Sequence, residues 1–238
     1  MNKKFNITAA PFQNCEAILF DFGGTLDSDG EHWLDRFYAL YQNARLNVSL
    51  SEIKRAFYHA DRMCCEDPQL LSADLRSLMK HHVRIQFEDL SIRDGAKEKA
   101  MIEEFCVRSE RFLKRNGRLL RAIRKHFRLG LVSNFYGNVS VLCREAGIAD
   151  VLEVILDSVV VGIGKPDPAI FRLALAELDL PPDRVIFVGD SYERDMIPAR
   201  RLGMKTIWLK GPNPRIPENA EPVDAWISGL SELYGRIT

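Results

Sequence analysis

Ala17-Ile18-Leu19-Phe20-Asp21-Phe22-Gly23-Gly24-Thr25-Leu26-Asp27 is an apolar run that ends abruptly in an acid, followed by two glycines. Four consecutive apolar residues suit a parallel strand covered on both faces, and in open α/β sheets the ligand crevice lies just beyond the carboxyl ends of such strands. Asp21 is therefore expected at a crevice. Glycines behind it let the chain turn sharply and bring its backbone close to a ligand. A strand ending in Asp and Gly also describes an ordinary turn, so the weight of this stretch depends on the rest of the chain.

The chain has 238 residues, enough for one large domain or a domain carrying an insert. Lysine plus arginine and aspartate plus glutamate both number 33, giving zero formal net charge. That balance removes any general electrostatic argument for nucleic acid or an acidic membrane as partner, and leaves anion binding as a local matter. Cys15, Cys64, Cys65, Cys106 and Cys143 are odd in number and lack paired Cys-x-x-Cys spacing, so they read as reduced, structural thiols. Met1 to Thr8 has two lysines but no apolar run of signal-peptide length, and no run is long enough to span a bilayer. The expectation is a soluble, cytoplasmic protein.

Working outward from the opening strand, the period changes after Asp27-Ser28-Asp29-Gly30. From about Glu31 to about Arg115 apolar residues recur at helical spacing: Trp33, Phe37, Leu40 and Tyr41; Ile53, Ala56, Phe57 and Ala60; Leu75, Leu78, Met79 and His82; then Met101, Phe105 and Phe112. This predicts a helical insert, with domain bounds of 29–115 for the insert and 1–28 plus 116–238 for the α/β core. Ser49 and Ser51 read as helix-start residues, and Asp67-Pro68 as a break. His81 and His82 invite a metal reading, but helical neighbours point about 100° apart and no ligand stands at the three- or four-residue offset, so both are expected to be structural. Arg108 to Arg128 is strongly basic and could steer an anion; a solvated helical face over the apolar stripe Leu120, Ile123 and Phe127 is the preferred reading.

Strand and helix then alternate. Leu129 to Val132 ends in Ser133-Asn134, Val141 to Ala146 is helical up to Gly147, and Val154 to Leu156 is a short strand. In Gly164-Lys165-Pro166-Asp167-Pro168, Asp167 as N-cap and Pro168 at the first helical position fix Lys165 beside a helix start. Val185 to Gly189 is another strand ending in a carboxylate, Asp190, with Ser191 to Asp195 behind it. A helix carrying Pro198 and ending at Gly203, a strand at Lys205 to Leu209, a loop at Gly211 to Pro217, a short strand at Ala225 to Ile227 and a helix from Leu230 to Tyr234 complete the chain. The pattern predicts a doubly wound parallel sheet. Asp21, Ser133, Asn134, Lys165, Asp190 and Asp195 would then share one crevice. Carboxylates so close need a cation, which suits Mg²⁺, while a lysine and a hydroxyl opposite suit a phosphoryl group. Asp21 is placed to act as the nucleophile.

These four motifs, in this order, resemble the haloacid dehalogenase (HAD) superfamily, of the type with a helical cap inserted after the first motif. The resemblance implies a Rossmann-like core and hydrolysis of a small phosphorylated substrate through an aspartyl-phosphate on Asp21. It implies Ser133, Asn134, Lys165, Gly24 and Thr25 on the phosphoryl group, Mg²⁺ held by Asp21, Asp190, Asp195 and the carbonyl of Gly23, and a mobile cap that selects substrate. The expected species is a monomer or homodimer with no nucleic-acid or membrane partner. One departure matters: family phosphatases carry a second aspartate, the general acid and base, where this chain has Gly23. Losing such a group forfeits ~10²–10⁴ in rate, so ester cleavage is expected to be weak unless Asp27, Glu193 or a cap residue substitutes. A non-catalytic phospho-ligand or protein-binding module is the alternative. A 2-haloacid dehalogenase is less favoured, because those enzymes carry an aromatic residue at the Gly23 position.

Overall fold

The computed structural model describes residues 12–212, 214 and 220–237. Met1 to Thr8, and positions 213 and 215–217 of the expected loop, lie outside the described residues. Ala17–Phe20 forms strand β1, fully buried along its length. Its side chains alternate between two cores, Ile18 and Phe20 facing one and Ala17 and Leu19 the other, as the two-residue period of a strand dictates. That explains the unbroken apolar run.

Strands β2 (Arg128–Ser133), β3 (Val154–Asp157), β4 (Val185–Gly189), β5 (Lys205–Leu209) and β6 (Ala225–Ile227) join β1 in one six-stranded sheet, ordered β3-β2-β1-β4-β5-β6. All five pairings are parallel. The sheet is the expected Rossmann-like α/β core. The chain builds outward from β1 through β2 to β3, then crosses back to place β4 on the other side of β1. The carboxyl end of β1 is thus a topological switch point, where such sheets open a crevice. Asp21 continues the pairing by one bond, its N–H donating to the Val188 carbonyl at 2.9 Å.

Helices α1 (Trp33–Asn43), α2 (Leu50–Glu66), α3 (Leu75–Asp89) and α4 (Gly95–Ile123) all fall between β1 and β2. Their starts are chemically marked. Ser49 and Glu52 form a reciprocal capping box, and the Asp74 and Asp94 carboxylates accept from the N–H of Ser77 and Lys97, each such cap contributing about 1 kcal/mol. The anticipated apolar stripes are buried except for Phe112, whose expected place is taken by Leu113, and Phe37 is in ring contact with Phe57, His82 and Phe105. α4 runs unbroken for 29 residues, from the inserted helices to the edge of the sheet.

The remaining helices are α5 (Val139–Glu145), α6 (Ser158–Val161), α7 (Pro168–Leu178), α8 (Ile197–Arg201) and α9 (Tyr234–Ile237). The helix expected from Leu230 to Tyr234 is instead a single turn, Leu230–Glu232, followed by α9. Four residues of the basic stretch pair with acids on neighbouring segments. Arg115 grips Asp29 at 2.7 and 2.6 Å, Arg121 pairs with Asp150 at 2.7 Å, Arg128 with Glu153 at 2.8 Å, and Arg108 with Glu31. All five cysteines are free thiols, and among the described residues no helix is long and apolar enough to cross a membrane.

Candidate active site

Each strand that ends at the switch point delivers one polar group. Asp21 follows β1, Ser133 ends β2, and Asp190 follows β4. Lys165 precedes α7, whose start is fixed by Asp167 accepting from the Ala169 N–H at 2.9 Å and by Pro168 in the first turn. Asp195 lies in the turn after β4, its Oδ2 accepting from the Ser191 N–H at 3.0 Å.

The groups converge on Asp21. Ser133 Oγ donates to Asp21 Oδ1 at 3.0 Å and Lys165 Nζ donates to the same oxygen at 2.7 Å. Lys165 Nζ also reaches Asp195 Oδ1 at 2.6 Å. Thr25 Oγ1 lies 3.3 Å from Asp21 Oδ2 and 3.4 Å from Asp190 Oδ1. Asn134 lines the cavity beside this centre but makes no hydrogen bond to Asp21. Its amide is occupied at both ends by the Lys165 backbone, donating to the carbonyl and accepting from the N–H at 2.7 Å each. It positions the lysine.

Carboxylate oxygens of Asp21, Asp190 and Asp195 lie within 4.8 Å of one another. Two buried acids, Asp21 and Asp195, and the half-buried Asp190 face one buried lysine, and their ionisation reflects it. Burial, then repulsion from Asp21 and Asp195, holds the Asp190 carboxyl well above the usual range, and burial lifts Asp195 to about 6 against the pull of Lys165. Burial alone would lower the Lys165 ammonium, but Asp195 and Asp21 keep it above its ordinary value. The donor set is all oxygen and over-charged, which is the chemistry a hard divalent cation such as Mg²⁺ relieves.

Gly23 and Gly24 have different reasons to be glycine. At Gly24 φ is +89°, and a Cβ would sit 2.6 Å from Asp190 Oδ2, so both conformation and space exclude a side chain. Gly23 has an ordinary φ of −73°. A Cβ there would meet Trp33 Nε1 at 3.5 Å and Phe135 Cε2 at 3.8 Å, normal contact distances. Nothing in the backbone demands glycine at 23. Asp27, one of the acids considered as a substitute proton donor, is engaged elsewhere. Its Oδ1 accepts from the Gly24 N–H at 2.7 Å, and its Oδ2 accepts from Trp33 Nε1 and Arg36 Nη1, both at 2.7 Å.

Over the cluster lies a cavity of about 80 Å³, lined by Asp21, Gly23, Lys165 and Asp190 from the sheet and by Trp33, Phe57 and Asp61 from the inserted helices. It adjoins a second of about 400 Å³ that shares His32, Tyr58 and Arg194 with it, and Glu193 lines this outer space.

The family model described as haloacid dehalogenase-like hydrolase matches residues 15–203. The chain belongs to the haloacid dehalogenase-like hydrolase family. Among curated relatives, it is 37% identical over 121 residues to a phosphoserine phosphatase of Thermus thermophilus, covering 49% of this chain and 47% of that protein. It is 30% identical over 167 residues to the pyrimidine 5'-nucleotidase YjjG of Escherichia coli, covering 67% and 72% respectively. The first of these matches spans about half the relative's length. A 2-haloacid dehalogenase from Pseudomonas syringae superposes with a TM-score of 0.52 at 24% identity, covering 94% of this chain and 98% of that one, a likeness of fold alone.

Asp61 and Tyr136 were not among the residues singled out from the sequence, yet both line the cavity. Asp61 sits mid-helix in α2 with no motif around it. Tyr136, three residues beyond Ser133, was the more findable, as an aromatic residue in a strand-end loop.

Proposed function

We propose that this protein is a Mg²⁺-dependent phosphohydrolase acting on a small phosphorylated metabolite, with Asp21 as nucleophile. The observation that supports it most is the setting of Asp21: one carboxylate oxygen held by Ser133 and Lys165, with Asp190 and Asp195 close by. A dehalogenating or purely binding site has less need of that combination. The helices between β1 and β2 would form the cap that closes over substrate and excludes water.

In this reading an Asp21 carboxylate oxygen attacks phosphorus as the bond to the leaving-group oxygen breaks. Lys165 and Ser133 hold Asp21 and meet the charge on the phosphoryl oxygens. Thr25 and the backbone of the Gly24 turn contribute further donors. Water then cleaves the aspartyl-phosphate, releasing inorganic phosphate and restoring Asp21. Asp21, Asp190, Asp195 and the Gly23 carbonyl would hold Mg²⁺, which supplies positive charge to the transferring group. Asn134 acts one step back, by fixing the backbone of Lys165. The leaving group receives its proton from no residue at position 23, so esters with good leaving groups should be cleaved fastest.

The test is turnover of an aryl phosphate with and without Mg²⁺ by the parent protein and by Asp21→Asn. Activity should require the cation and fall at least ~10³-fold in the variant. Undiminished hydrolysis by a folded Asp21→Asn protein would rule out the aspartyl-phosphate.

A further inference from the structure

Asp61 is a carboxylate brought to the cavity by α2, on the side of the inserted helices. Its side chain is 35% exposed, while Tyr136 and His82 beside it are buried. Tyr136 Oη donates to Asp61 Oδ1, and His82 Nε2 stands 3.8 Å from that same oxygen.

His82 is fixed in turn. It stacks on Phe37 with ring centres 5.2 Å apart, and its Nδ1 meets Gln86 Nε2 at 2.7 Å. Tyr41 Oη donates to Gln86 Oε1 at 3.3 Å. With Gln86 donating to Nδ1, the imidazole proton lies on Nε2, toward Asp61. These contacts hold Asp61 ionised: burial favours the neutral acid, but His82 and Tyr136 outweigh it and keep the carboxyl below its usual range.

All of this support converges on Oδ1. Among the described residues no hydrogen bond to Oδ2 is formed, and the cavity wall combines the aromatic residues Trp33, Phe57, Phe135 and Tyr136 with His32, whose charge also favours the ionised carboxylate. An ionised oxygen in such a place requires a donor from water or from a ligand, because leaving it without one on binding costs its full desolvation.

We propose that Asp61 is a specificity-determining acceptor, which selects phosphoesters whose leaving group presents a hydroxyl or ammonium donor to it. The assignment rests on the phosphohydrolase reading and extends it from the phosphoryl end of the cavity to the leaving-group end. An apolar leaving group strands Oδ2, and an anionic one meets like charge. Tyr136 is the positioning residue that aims the carboxylate, and His82, 3.8 Å away and not hydrogen-bonded to it, acts through its field alone.

The test uses three phosphoesters of similar size: 2-aminoethyl, 2-hydroxyethyl and n-propyl phosphate. Binding is read by calorimetry with Mg²⁺ on Asp21→Asn protein, where turnover is blocked, and hydrolysis is read on the parent. The two donor-bearing esters should bind about tenfold or more tightly than n-propyl phosphate, the size of effect expected for a hydrogen bond to a charged group. Adding Asp61→Leu should erase that preference. Asp61→Asn should keep the hydroxyethyl preference and lose the aminoethyl one, separating neutral from cationic donors. Tyr136→Phe should weaken the preference with n-propyl binding unchanged. A preference that persists in folded Asp61→Leu or Asp61→Asn protein, or is absent from the Asp21→Asn protein itself, overturns the assignment. Intact binding preference without hydrolysis of an aryl phosphate or of any of the three esters by the parent would sink the phosphohydrolase reading and leave the role of Asp61 standing.

Discussion

Gly23 is the residue on which the proposed activity should turn. It lies two positions past Asp21, at an ordinary backbone angle, with Trp33 and Phe135 at normal contact distance from where a Cβ would stand. Gly23→Asp should therefore fold, and if the missing acid limits the rate, alkyl phosphate hydrolysis should rise by about 10- to 100-fold while aryl phosphate hydrolysis changes little. Steady-state rates on the two ester types decide it; equal, unchanged rates in a folded, metal-binding variant would mean that the proton comes from another group. Of the substitutes considered in the sequence, Asp27 is the one the structure accounts for otherwise, being buried against Arg36, Trp33 and the Gly24 N–H. The acids around Asp21 were legible because each follows an apolar strand within a few residues, so local sequence carries their position. Asp61 was not, because its role depends on Tyr136 and His82, which are 75 and 21 positions away along the chain and meet it only through folding of the inserted helices.

At the scale of elements, the decisive contact joins the turn after β1 to the helices that follow. Asp27 takes the Gly24 N–H on one oxygen and the α1 side chains Trp33 and Arg36 on the other. Arg36 in turn donates from Nη2 to Ser109 Oγ at 2.6 Å and to the Phe105 carbonyl at 3.2 Å, both on α4. The catalytic turn, α1 and α4 thus share one buried ion pair, with both side chains 1% exposed. Arg36→Leu strands the Asp27 charge and should cost about 3–5 kcal/mol, measured by urea unfolding. Adding Asp27→Asn should recover part of that loss; equal stability of the parent and Arg36→Leu would show the pair to be dispensable. None of this network could be read from periodicity, which marked α1 and α4 by their apolar stripes and treated Asp27 as part of a polar bend. Periodicity did mark the helices themselves, since each buries one face, and Ser49 announced the start of α2, whereas the caps Asp74 and Asp94 emerged only from the structure. Periodicity was silent on the continuity of α4, which runs through Asn116 and Gly117 without a break although a boundary was expected there.

For the whole molecule, the parallel sheet gathers three carboxylates and one lysine at its switch point, and the stability of the fold becomes tied to pH and to cation. The alternation of strands and helices made that gathering foreseeable, since parallel strands place their carboxyl ends on one edge. Asp195 is lifted by burial to about 6 and Asp190 is lifted well above the usual carboxylate range by burial, Asp21 and Asp195. Both carboxyls hold protons more tightly folded than unfolded. The metal-free protein should therefore lose stability as pH rises from about 4 through about 6, where the unfolded chain has released protons that the folded chain retains. A divalent cation competes for the same oxygens, so its stabilisation runs opposite to proton binding and grows with pH. A ligand at 100 times its Kd contributes about 2.7 kcal/mol, and each kcal/mol shifts the Tm of a chain this size by about 2–4 °C. Saturating Mg²⁺ should therefore raise the Tm by about 5–10 °C at pH 8 and by much less at pH 5, and Asp190→Asn should shrink the difference between the two. Thermal melts across that range, with and without Mg²⁺, provide the measurement. A shift of the same size at both pH values would mean that the cation binds somewhere other than the Asp21, Asp190 and Asp195 cluster.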